Sequence, residues 1–243
     1  DGGGVDHSVI TECLDGIRRH RVDRVRRGQV LDVEHVGCLG VLGSGAGHEQ
    51  PLGARALVGD ALGPVRTVVE RSDFFVNWAD FPQVAVKEGN LLATFLQKSD
   101  TATFAYDIHY VLRSSDGSTL TRKLHTDTTH TEHGFVSVVP NDDGSFFLSW
   151  LDGRNTGGGS GHQHHGAMTL RGGVLTLDGT FSDSELDARV CDCCSTSATA
   201  IPGGILVAYR DRSPEEVRDI VVIRNLEGHW SDSRIVHEDN WVI

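Results

Sequence analysis

GFVSVVPNDDGSFFLSWLDGR, residues 134–154, is a short apolar run, a polar turn with a glycine, a second apolar run and a charged exit. Two further stretches repeat that pattern, FPQVAVKEGNLLATFLQKS (81–99) and CSTSATAIPGGILVAYRDR (194–212). Their turn glycines, Gly89, Gly144 and Gly204, lie 55 and 60 residues apart. A hairpin unit recurring at that interval points to the blades of a β-propeller. Three recognisable units are too few to close a ring. The expected fold is therefore all-β, a partial propeller of about three to four blades, with the ring incomplete in this chain.

Around these hairpins the texture from Pro64 onward is short β-rich runs broken by turn signals. GPVRTVVE (63–70) reads as an outer strand, and FAYDIHYVLRS (104–114) alternates as a half-buried strand does. In the second unit MTLRG and GVLTLDG read as an outer hairpin, and in the third DIVVIRN (219–225) and HWSDSRIVH (229–237) follow the first hairpin. Ser213, Pro214 and Glu216 stand in capping-box order, which suits one short helical turn. Little other helix is expected.

Residues 1–63 are of another kind. No Phe, Tyr, Trp or Lys occurs before Phe74, although the chain holds 16 aromatics, and RRHRVDRVRR (18–27) has no convincing period. Such a segment reads as poorly ordered and solvated, or as a stretch that is not a naturally selected sequence, ahead of propeller blades over 64–243.

Bulk composition excludes several partners. With 34 acids against 22 bases the chain carries a formal charge of −12, the wrong sign for a nucleic-acid surface. Its longest apolar runs are far short of the roughly 20 residues a membrane helix needs. A glycan or small-molecule ligand remains compatible. No signal peptide is legible in this chain.

Several strings resemble the sialidase-like propeller superfamily with bacterial neuraminidase repeats. They are FVNWADFP (75–82), TEHGFVS (131–137) with SWLDGR (149–154), DARVCDCCSTSA (187–198) with VAYRDRSPEEVRDI (207–220), and HWSDSRIVHEDNWVI (229–243). RSSDGSTLTRK carries one degenerate copy of the superfamily's S-x-D-x-G-x-T-W loop, with Ser114, Asp116 and Gly117 in place. The resemblance implies a six-bladed sialidase-like propeller, an exported (periplasmic or secreted) protein and exo-sialidase activity at the central axis. The F/Y-R-I-P arginine string of true sialidases is missing.

On that resemblance Arg154, Arg210 and Arg212 would grip a substrate carboxylate through their bidentate forks. Tyr209, assisted by a glutamate such as Glu216, would be the nucleophile, and Asp80 would donate the proton. The alternative is structural: Tyr209 as a strand residue and Arg210, Asp211 and Arg212 in salt bridges between blades. His130 and His133, flanking Glu132, read chiefly as turn or core groups and otherwise as metal or proton-shuttle residues.

A rival reading rests on CDCC (191–194) and GHQHHG (161–166). Cys191 and Cys194 have knuckle spacing, with His162, His164 and His165 upstream, a set suited to zinc or copper. On this reading the protein is a non-catalytic exported propeller that binds a metal or a protein partner. A vicinal Cys193–Cys194 disulfide, a pairing with a cysteine beyond residue 243, and buried free thiols are the competing readings of the same residues.

Overall fold

The computed structural model describes residues 35–41, 50–58, 61–76, 79–157 and 166–238. All the regular structure among them is β-strand, and none forms a helix able to cross a membrane. The chain divides into two compact units, Asp1–Asp73 and Phe74–Ile243.

In the first unit β1 (His35–Val41), β2 (Gln50–Val58), β3 (Ala61–Leu62) and β4 (Arg66–Arg71) make one antiparallel sheet. The strand expected around GPVRTVVE is β4. It pairs with β2, Gln50 opposite Arg71, and so belongs to this sheet.

The second unit holds three sheets, each following the chain in order. The first is β5 (Gln83–Lys87), β6 (Asn90–Lys98), β7 (Tyr106–Arg113) and β8 (Thr119–Lys123). The second is β9 (His133–Pro140), β10 (Phe146–Asp152), β11 (Thr169–Leu175) and β12 (Phe181–Asp187). The third is β13 (Ser197–Ile201), β14 (Gly204–Arg210) and β15 (Ile220–Leu226), with β16 (His229–Trp230) and β17 (Arg234–His237) both on β15. The first strands of successive sheets touch, β5 against β9 and β9 against β13. The sheets stack face to face as blades. One core, including Tyr110, Ile108, Leu148 and Trp150, lies between the first two; another, including Phe147, Leu170, Val207 and Tyr209, lies between the last two. Strand β10 is buried along its whole length, Ser149 and Asp152 included, because it is covered on both faces.

The turns explain the repeat. Ser114–Ser118, Asn141–Ser145 and Thr176–Thr180 adopt one five-residue form. The last residue's carbonyl accepts from the first residue's N–H at 2.9, 2.8 and 3.0 Å. The central aspartates Asp116, Asp143 and Asp178 each accept from the N–H two residues on, at 2.8, 3.0 and 2.9 Å. Gly117, Gly144 and Gly179 take the left-handed position, φ 83–89°, which glycine adopts without penalty. In the third hairpin Gly203 (φ 79°), not Gly204, is the left-handed residue.

Two expectations are corrected. MTLRG and GVLTLDG do not form a hairpin: TLRGGVL is the single strand β11, and the outer strand is β12. Gly172 and Gly173 serve close packing. A Cβ at Gly172 would meet Leu186 at 2.7 Å and Phe147 at 3.0 Å, and one at Gly173 would meet Asp183 Cα at 2.8 Å. The helical turn at Ser213–Glu216 is instead a tight turn in which the Ser213 hydroxyl accepts from the Glu215 and Val217 N–H groups.

Candidate active site

Three acidic residues stand just ahead of the first strand of the three sheets: Asp80 before β5, Glu132 before β9 and Asp192 before β13. Because those strands are neighbours, their starts draw together.

Asp80 is held by a distortion of β9. The register between β9 and β10 slips between Ser149 and Leu151, so that Phe135 and Val136 together oppose Trp150. Such a bulge re-aims the backbone. Phe135 has φ 54°, a costly conformation for a residue with a side chain, and its N–H donates to Asp80 Oδ2 at 2.7 Å. Gly134 is required beside it, since a Cβ there would collide with that carboxylate and meet Tyr106 Cε2 at 3.0 Å.

Glu132 is half-buried next to this group. The Tyr106 hydroxyl donates to its Oε1 at 2.5 Å, and Phe75 stacks on the Tyr106 ring with centroids 4.0 Å apart. Burial pushes the Asp80 carboxyl up to about 7, opposed by the Phe135 N–H and helped by the Glu132 charge. Burial also pushes Glu132 up to about 7, opposed by the Tyr106 hydroxyl and helped by Asp192. Both carboxyls are thus raised toward neutrality, the range in which a carboxyl group serves as acid or base.

Alternation along β7 and at the start of β9 turns Asp107 and His133 to the opposite side from Tyr106 and Glu132. There the His125 and His133 rings stack, centroids 4.0 Å apart, near Asp107, Asp127 and Asp152. Burial drives His125 down to about 3, helped by His133 and Lys123. Asp152 accepts the Arg154 fork at 2.7 and 2.8 Å and the Trp150 indole N–H at 3.0 Å. Although burial acts the other way, the Arg154 hydrogen bonds, with His133, hold Asp152 down to about 2.

The other residues singled out in the sequence have partners of their own. Tyr209 is buried and donates to Asp187 Oδ2 at 2.6 Å, not to Glu216. Burial, with Asp187, pushes its hydroxyl far above its usual range, which opposes a nucleophilic role. Glu216 lies among arginines: Arg189 at 2.6 Å, Arg212 at 2.8 Å and Arg218 at 3.4 Å. Arg212 also binds Asp192 at 2.9 Å. Arg210 donates through Nε to the Arg218 carbonyl at 2.7 Å. Asp80 is thus brought to Glu132, which the sequence presents only as the acid between His130 and His133.

Among the described residues two groups have the composition to hold a metal: Asp107, His125 and His133, and Cys191, Cys193 and Cys194. Cys191 and Cys194, however, are joined in a disulfide, and Cys193 is exposed. This corrects the vicinal pairing; a zinc or copper knuckle at Cys191 and Cys194 would require the reduced thiols, since disulfide sulfurs are not thiolate ligands. His162, His164 and His165 lie outside the described residues.

No family model and no curated protein matches the sequence. Solved structures do. The alpha-L-arabinanase of Penicillium chrysogenum, complexed with arabinobiose, is similar over 79% of this chain and 57% of its own, with TM-score 0.50 and 13% identity. The family-43 (GH43) enzyme of Xanthomonas citri complexed with xylose matches over 81% and 68%, TM-score 0.44, 14% identity. An alpha-L-arabinofuranosidase from Clostridium thermocellum matches over 79% and 65%, TM-score 0.44, 12% identity. The chain spans less than two thirds of the arabinanase's length. The likeness to the arabinanase shows the fold alone: small antiparallel sheets that match a propeller glycoside hydrolase over about four fifths of the chain. The six-bladed sialidase ring implied by the strings is not supported.

Proposed function

We propose that this chain carries the site of a propeller glycoside hydrolase that works through two carboxyl groups, Asp80 and Glu132. The observation behind the proposal is their shared burial at the starts of adjacent blades, with both carboxyls raised to about 7. Hydrolysis of a glycosidic bond by this route needs one carboxylic acid to protonate the leaving oxygen and one carboxylate to activate water. Asp80, whose oxygen receives a backbone N–H, is the base. Glu132, more open and facing the negative charge of Asp192, is the acid. Tyr106 holds Glu132 in position. The proton lost by water goes to Asp80, and the proton on Glu132 leaves with the alcohol.

A pentose-containing glycan is the first substrate class to test, by likeness to the arabinanase fold. Exo-sialidase chemistry has less behind it. Its gripping arginines would have to be presented to a substrate, whereas Arg154 and Arg212 are engaged by Asp152, Asp192 and Glu216. An extracytoplasmic location is part of the same proposal, because a disulfide persists best in an oxidising compartment.

The test is hydrolysis of nitrophenyl α-L-arabinofuranoside, nitrophenyl β-D-xyloside, arabinan, xylan and a fluorogenic sialoside. Activity on a pentoside that falls at least about 100-fold in Asp80→Asn and in Glu132→Gln is expected, the usual scale for loss of an acid or base. Pentoside hydrolysis that survives both substitutions would refute the assignment. Sialoside cleavage lost in Tyr209→Phe would restore the arginine–tyrosine chemistry.

A further inference from the structure

On the far side of β7 and β9 from the carboxyl pair, three side chains from separate segments meet: Asp107 on β7, His125 after β8 and His133 at the start of β9. All three are buried, with exposures of 9%, 3% and 0%. Asp107 Oδ1, both ring nitrogens of His125 and His133 Nε2 are enclosed yet make no hydrogen bond. Buried polar groups are almost always satisfied, so several such atoms converging on one spot need a common partner.

We infer that Asp107, His125 and His133 bind a divalent transition-metal ion of the zinc class. Their ligating atoms lie within 4.8 Å of one another. His125 Nε2 is 3.4 Å from Asp107 Oδ1. Ligands about 2.0–2.1 Å from a tetrahedral ion are separated by roughly 3.4 Å. Two imidazoles and a carboxylate are ordinary zinc donors. A second layer is also in place: His133 Nδ1 lies 3.2 Å from the Thr131 carbonyl and 3.3 Å from the Tyr106 carbonyl, the carbonyl support typical of a metal-bound histidine. That leaves Nε2, 3.2 Å from Asp127 Oδ2 and 3.7 Å from Asp152 Oδ1, to meet the ion.

Charge favours a cation as well. Three carboxylates, Asp107, Asp127 and Asp152, face only Lys123, 3.5 Å from Asp107, and Arg154, 2.7 Å from Asp152, among the described residues. The His125 ring is stacked on His133, and with neither nitrogen hydrogen-bonded it can turn to meet an ion. The set is distinct from the cysteines, of which Cys191 and Cys194 are committed to a disulfide, and it does not rest on the glycosidase reading. The ion would tie β7 and the β8–β9 connection to the start of β9, directly behind Glu132.

The test uses the whole chain without an affinity tag. After EDTA treatment and dialysis, zinc alone is added, bound metal is counted and thermal melting is followed. Near one equivalent and a Tm rise of at least about 3 °C are expected. Cys193→Ser keeps the ion, and His125→Gln binds less than a tenth of it. Cobalt loaded in place of zinc reads the donor set without any substitution: visible ligand-field bands lacking a thiolate charge-transfer band are expected. Retention below a tenth of an equivalent with an unchanged Tm overturns the inference. So does a thiolate band, which would move the ion to the cysteines, and so does full binding in His125→Gln.

Discussion

Replacing Asp80 by Asn removes a charge while keeping an oxygen that can accept the Phe135 N–H. The wild-type carboxyl is raised from 3.8 to about 7, so ionising it in the folded protein costs up to roughly 4 kcal/mol at about 1.4 kcal/mol per pKa unit. A carboxyl whose folded pKa is raised contributes its stabilisation fully below the unfolded value, and loses it as pH rises through the folded one. The wild type should therefore lose stability between about pH 4 and 7 at this position, and the variant should not. At pH 5 the two should melt within a few degrees of each other. At pH 8 Asp80→Asn should be the more stable by about 2–4 kcal/mol, a gain of roughly 5–10 °C for a chain this size. Differential scanning fluorimetry at pH 5, 6, 7 and 8 reads the gap directly. A gap that is flat with pH, or that narrows from pH 5 to 8, would refute the placement of Asp80 in a buried, charge-crowded site.

Other substitutions probe separate parts of the structure. Arg154→Ala strands the fully buried Asp152 carboxylate and should cost about 3–5 kcal/mol in urea unfolding at pH 7. Asp152 is held down to about 2, so its contribution is present above the unfolded value near 4 and lost as pH falls toward 2. The acid loss between those limits should shrink in Arg154→Ala. Cys194→Ser opens the Cys191–Cys194 loop and should cost about 2 kcal/mol for so short a closure, a loss that thiol reductant should reproduce in the wild type but not in the variant. Gly134→Ala drives a methyl against Asp80 and Tyr106. It should destabilise by about 1–3 kcal/mol and lower glycosidase activity with it.

The blade hairpins were legible because apolar runs flank turns whose chemistry is local. The same aspartate–glycine–hydroxyl order recurs in SDGS, DDGS and LDGT, and that triple repeat was a signal available to be read. Gly172-Gly173 misled because a glycine pair within an apolar strand looks like a turn, although β12 lies too close for a side chain there. The ring type was not legible. A four-stranded blade has the same sequence pattern whatever the number of its neighbours, and strings such as SWLDGR report a buried Trp150–Asp152–Arg154 network rather than a substrate. Asp80 stood out by its place before a first strand. Glu132 and Asp192 share that place but were hidden, one inside HTEHG and the other inside CDCC. The metal-type triad is assembled from three segments and has no spacing to detect.

The most direct measurement of the central claim is a carboxyl titration of Asp80 by carbon-13 NMR, in the wild type and in Glu132→Gln. The account predicts that Asp80 titrates near 7 in the wild type and drops clearly when the neighbouring charge is removed, while burial keeps it above an ordinary aspartate. A titration near 4 in both proteins would contradict it, because the starts of the two blades would then not bring their acids together.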